Sequence, residues 1–175
     1  YTGGTTVDGY GLMIGDGVAT GKIVGAVTVN GGGLYFRSAD TSGLTTITSN
    51  NTYVVFSNTT SASSAAITNN SGIVRFEDNS AAGDATIDNH GTLQFQGSAT
   101  AGNATIHNSD TVTFSGSSSG GTARFIGNGG SLSIGGLTGA GMTLGSIEGT
   151  GIVLLGSKRL TVGGNGLSTT FAGSI

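Results

Sequence analysis

Asp88, His90, His107 and Asp110 are the residues best suited to acid–base or metal chemistry, because imidazole beside carboxylate is the usual make-up of a general-base or cation site. His90 and His107 follow Ile87 and Ile106 by three and one residues, so they need not share a column of any repeated structure. A solvated turn accounts for all four. Glu77 and Asp78 adjoin Phe76, but no second carboxylate pair recurs one repeat away to complete a polysaccharide-cleaving dyad. The six Lys and Arg residues do not cluster, only Lys158 and Arg159 being adjacent, unlike the clustered acids, Ca²⁺ and basic residue of a calcium-dependent lyase. Gly116-Ser-Ser-Ser-Gly120 has no neighbour that would activate a serine and reads as a loop. Gly163-Gly-Asn-Gly-Leu167 is similar to a calcium-binding nonapeptide unit, but its Asp is missing and it occurs once. A Walker loop is absent, and a net charge of −3 with no basic stripe argues against nucleic acid as a partner. The expectation is no catalytic residue, no metal site and no cofactor.

The elements that would position any such residue come from an internal repeat. Ala65-x-Ile67, Asn70 and Val74-x-Phe76 recur as Ala85-x-Ile87, Asn89 and Leu93-x-Phe95, then as Ala104-x-Ile106, Asn108 and Val112-x-Phe114, then as Ala123-x-Phe125, Asn128 and Leu132-x-Ile134. The register begins earlier, with Val27, Asn30 and Leu34-x-Phe36, then Ile47, Asn50 and Val54-x-Phe56. Phenylalanines 36, 56, 76, 95 and 114 are 20, 20, 19 and 19 residues apart. Where the repeat shortens, the loss is expected between the Ile and the Asn, which fixes the turn at Asn relative to the following strand. Apolar pairs at spacing two put both members on one side of a strand. Corners are expected at the Asn positions and four residues before each Ile, at Gly43, Ser63, Gly83, Gly102 and Gly121, since glycine and asparagine tolerate the left-handed region.

A 19–20-residue unit is too short for a helical crossover, and no apolar period of 3.6 occurs, so the repeats must coil and stack as parallel strands. The fold class is all-β, a parallel β-helix over residues 1–175: an irregular first rung over 1–26, regular rungs over 27–143, and different wording over 144–175. The 175 residues include 35 glycines, no proline and no cysteine, and regular apolar spacing speaks against disorder. Proline would remove a rung-to-rung hydrogen bond. In such a stack Phe36, Phe56, Phe76, Phe95 and Phe114 form an aromatic column, continued by Ile134 and Leu154. Asn30, Asn50, Asn70, Asn89, Asn108 and Asn128 form one outward ladder of amides, ended by the carboxylates of Asp8 and Glu148.

The closing stretch, from Gly149-Thr-Gly151 through Leu154, Gly156, Leu160-Thr161, Gly163-Gly164-Asn165 and Thr169-Thr170-Phe171 to Gly173 and Ile175, strongly resembles the strand repeat of autotransporter passenger domains, with Val162 in place of a leucine. Rungs such as Ala104-Thr-Ile-His-Asn-Ser-Asp-Thr-Val-Thr-Phe114 also look like passenger repeats, so the resemblance extends over nearly all the chain beyond residue 25. It implies a right-handed β-helix, export from a Gram-negative cell through both membranes, and display at the cell surface or release. The family's outer-membrane barrel lies outside this chain, which looks like a piece of a longer protein.

Between the paired inward residues, Tyr35, Val55, Arg75, Gln94, Thr113, Ser133 and Val153 point outward. Tyr35 and Val55, with Tyr53, are the candidate surface contact. The function expected is non-enzymatic: a β-helical stalk or adhesin whose partners are host surface or matrix molecules or further copies of itself, joined end to end. The alternatives are a scaffold for a catalytic domain elsewhere in the full protein, and a threonine-array ice binder, for which the outward threonines do not make two continuous columns.

Overall fold

In the computed structural model, residues 3–175 are described. Through them the chain coils in about eight turns without a helix, every named strand pairing in parallel with the turn before or after it. Turns lie 19–22 residues apart along most of the stack: Leu12 sits beside Leu34, Leu34 beside Val54, Val74 beside Leu93 and Leu132 beside Val153. A parallel β-solenoid results.

Each turn has three sides. The first carries strands such as Ala66–Asn70, Thr86–Asn89 and Thr105–Asn108, and the second carries Ile73–Phe76, Thr92–Phe95 and Thr111–Gly116. The third is narrower, held by single bridges from Ser61 to Ala81 to Thr100 to Ser119. No single turn could bury its apolar side alone, and stacking supplies both the missing strand partners and the missing core.

The interior is filled in columns. Phe36, Phe56, Phe76, Phe95 and Phe114 stack with centroids 4.6–5.1 Å apart and planes within 13°, all essentially buried. Burial is worth about 1.5–3 kcal/mol per ring and stacking about 0.5–1.5 kcal/mol per pair. Ile47, Ile67, Ile87 and Ile106 line the first side, while Ala65, Ala85, Ala104 and Ala123 occupy the narrow corner before it. Near the C-terminal end the expected facing reverses: Val153 is buried and Leu154 is 51% exposed. The corner holding Gly129-Gly130 in one turn holds one residue fewer in the next, as the register slip after Asn128 records, and a one-residue slip turns every side chain over.

Three corners bend each turn, in keeping with the two or more that the spacing implies. Ser63, Gly83, Gly102 and Gly121 have φ of 55–67°, whereas Gly43 does not. A second left-handed column lies two residues after each phenylalanine, at Ser38, Asn58, Asp78, Gly97 and Gly116. At the corner after the asparagines the left-handed residues are Asn51, Ser71 and Gly129, one position beyond the expected ones, and Gly32, two beyond.

Candidate functional site

The asparagines form two ladders with opposite surroundings. Asn30 Nδ2 donates to Asp8 Oδ1 at 2.7 Å, Asn50 Nδ2 to Asn30 Oδ1 at 2.7 Å and Asn70 Nδ2 to Asn50 Oδ1 at 3.0 Å, along the outside. There the outer ladder ends. Asn69, not Asn70, is in register with Asn89, and Asn89 with Asn108, and all three are fully buried. Asn69 Nδ2 donates to Asn89 Oδ1 at 2.7 Å and Asn89 Nδ2 to Asn108 Oδ1 at 2.8 Å. The same amides reach the corner carbonyls of Gly72, Gly91 and Asp110, as second donors beside the N–H groups of Thr92, Thr111 and Ser131 from the next turn.

Asn89 and Asn108 are therefore inner residues, and Asn128 is exposed, in register with Thr150, outside both ladders. Glu148 does not end a ladder either; it pairs with Arg124, whose pKa it raises. The cause is where the shortened turn loses its residue. Asn69 and Asn89 each lie two after their isoleucine, so the loss falls in the corner that follows, and the asparagine is fixed to the strand before it. Alignment on Ile67, Ile87 and Ile106 rather than on the following apolar pair would have found Asn69.

The titratable residues do not converge. His107 is in register with Asp88 on the outer surface, while His90 Nδ1 is 2.7 Å from Ser109 Oγ and Asp110 Oδ1 accepts from Thr111 Oγ1 at 3.0 Å. Among the described residues no group of three or more His, Asp or Glu is placed to hold a metal ion. Glu77 and Asp78 diverge: Glu77 faces Arg75, whereas Asp78 turns a corner and accepts the Asn58 N–H at 2.9 Å. Ser118 is buried and Ser119 Oγ donates to Thr100 Oγ1, so the stretch from Gly116 to Gly120 runs from the end of the second side into the third. Asn165 Nδ2 donates to Ser146 Oγ and Asn165 Oδ1 accepts the Leu167 N–H. Thr28, Thr48 and Thr68 form one outward column that passes into Asp88, beside a column that Ala66 interrupts.

The outer surface of the second side carries the most differentiated site, a groove of about 320 Å³ between Met13 and Glu77. Tyr35 lies in register between Met13 and Val55, and Val55 between Tyr35 and Arg75. Tyr35 is half-buried and Tyr53 is 46% exposed, but Val55 is only 7% exposed, because long side chains flank it on both turns. Val55 is thus a floor rather than a contact surface. The ring of Tyr35 lies over Gly33 and Gly11: a Cβ at either would fall within 2.9 Å of a ring carbon. Arg75 Nε donates to Gln94 Oε1 at 2.9 Å, and its Nη1 is 4.0 Å from Glu77 Oε2. Arg37 is exposed on the groove's rim. Met13, Arg37, Arg75 and Glu77 complete what the tyrosines alone suggested.

A second opening of about 430 Å³ on the third side is lined by Ser117–Ser119, residues 140–143, Arg159 and Thr161, and it lacks aromatic residues. Elsewhere on that side Lys22 Nζ meets Asp40 Oδ2 at 2.8 Å. This hydrogen bond, then those from the Ser42 N–H and hydroxyl, holds the Asp40 carboxyl well below the usual carboxylate range. Comparison of the chain with protein-family models, with curated proteins and with solved structures finds no match.

Proposed function

We propose that this chain is a β-solenoid segment of an autotransporter-like passenger, acting as a surface-displayed stalk with an adhesive side and carrying out no catalytic step of its own. The observation that carries the reading is the division of labour across each strand. Inward positions keep their residue type over several turns, as from Phe36 to Phe114, whereas outward positions change type from turn to turn, from Tyr35 to Val55 to Arg75 to Gln94. The scaffold is held constant while its outer surface is free to differ. Eight turns at about 4.8 Å make a rod of roughly 35 Å. Folding by addition of one turn to the last suits a chain that emerges progressively from a cell.

The test is to place the chain between a signal peptide and an outer-membrane translocator barrel in a Gram-negative host. The expected result is a folded, protease-accessible rod outside the cell and greater adhesion to matrix-coated surfaces or to other cells than the barrel alone gives. Retention in the periplasm, or display without added adhesion, would overturn the reading.

A further inference from the structure

We infer that the groove on the second side binds an acidic saccharide chain laid along the solenoid axis; this rests on the adhesive reading above and names the partner class. Tyr35 packs closely against Gly11 and Gly33, where a Cβ would meet its ring, and it lines the groove. Tyr53, on the next turn and two residues before Val55, adds a second, half-exposed ring. Flat aromatic faces beside polar groups suit sugar rings, which have an aliphatic face and a hydroxyl rim.

Charge decides the kind of sugar. The Arg37 guanidinium has no hydrogen-bond or ion-pair partner among the described residues. Arg75 uses one donor on Gln94 and stands 4.0 Å from Glu77, leaving further N–H groups of its five. Two guanidiniums against one carboxylate make the groove locally positive on a chain of net charge −3. A planar guanidinium takes carboxylate or sulfate oxygens in pairs. Met13, Tyr35, Val55 and Arg75 extend over four turns, about 14 Å, which suits an extended polymer rather than a single ion. An extended peptide is the poorer occupant. Peptide addition to a sheet needs a free strand edge; along the groove only Leu12–Ile14, at its end, has one, while the strands from Gly33–Arg37 to Ile73–Phe76 are paired above and below.

The test is calorimetric titration of the folded chain at physiological ionic strength with polygalacturonate, dextran sulfate and neutral dextran. Binding of either or both acidic polymers without binding of dextran is expected, and which of them binds identifies the anionic group as carboxylate or sulfate. Arg37→Gln should weaken it about tenfold and Tyr53→Ala about fivefold, while the remote Lys158→Gln leaves it unchanged, all three folding like the parent by circular dichroism. Equal binding of dextran, equal loss in Lys158→Gln, unchanged binding in Arg37→Gln, or preference for an acidic peptide would overturn the inference. So would the absence of binding to all three polymers. On displaying cells the two readings separate: equal adhesion by parent and Arg37→Gln rejects the acidic saccharide alone, whereas absence of adhesion by the parent rejects the adhesive function itself.

Discussion

Asn89→Ala isolates the inner amide ladder. Asn89 is fully buried; its Nδ2, with two N–H groups, is within hydrogen-bond distance of three acceptors, Gly91 O at 2.7 Å, Asn108 Oδ1 at 2.8 Å and Thr111 O at 3.0 Å, so that one N–H is shared, and its Oδ1 accepts from Asn69 at 2.7 Å. The substitution leaves Asn108 Oδ1 buried without a donor, which costs about 1–3 kcal/mol. The two carbonyls each lose one donor, and together these add roughly 1–2 kcal/mol. The expected destabilisation is therefore about 2–5 kcal/mol. Asn70→Ala, one residue beyond the register partner of Asn89, removes an exposed amide whose single bond to Asn50 water can replace, and should cost no more than about 0.5 kcal/mol. Urea unfolding followed by far-UV circular dichroism gives both values. Hydrogen exchange in the adjacent turns shows whether the loss is confined to the site, as nearest-neighbour coupling implies. Equal losses, or a larger one for Asn70, would refute the division into an inner and an outer ladder.

Phe95→Ala should cost about 3–5 kcal/mol in the same assay, because the ring is stacked on both faces, while Gln94→Ala, outward and half-buried, should cost less than about 1 kcal/mol. Ser71→Gly should stabilise the fold by about 0.5–1 kcal/mol by relieving a left-handed φ of 64°, and Gly121→Ala should destabilise it, since a Cβ there would lie 2.5 Å from the Gly102 carbonyl oxygen. Thermal unfolding of the two variants should move in opposite directions. Asp40, with its lowered pKa, contributes stability that is present above the ordinary carboxylate value and lost as pH falls through the folded value. Lys22→Met should therefore raise the Asp40 titration midpoint measured by NMR and shrink the stability lost on acidification, with that loss complete at higher pH.

Much of the fold was legible from residue type and spacing. A 19–20-residue period of paired apolar positions leaves no room for a helix crossover and puts Leu34 with Phe36, Val54 with Phe56 and Val74 with Phe76 inward on one side of one strand. Identical residues at identical spacing must then meet their own kind in the next turn, because parallel in-register stacking leaves them nowhere else to go. The left-handed residues four before Ile67, Ile87, Ile106 and Phe125 belong to the same layer of information, since only a few residue types accept that backbone conformation.

What tertiary structure alone decided turns on single residues in corners and on contacts between distant positions. Whether the repeat loses its residue before or after an asparagine changes nothing in composition or period, yet it determines whether that amide meets water or the Gly91 carbonyl. The same arithmetic turned Leu154 out and Val153 in. The groove depends on a coincidence that no local pattern records: Gly11 and Gly33, one turn apart, both lack the Cβ that would lift the Tyr35 ring off the sheet. Val55 shows the converse, an outward apolar residue covered because its neighbours on the adjoining turns happen to be long. Sequence period fixes which side of a strand a residue occupies only while the corners keep their length. Beyond that, facing and exposure are properties of the stack.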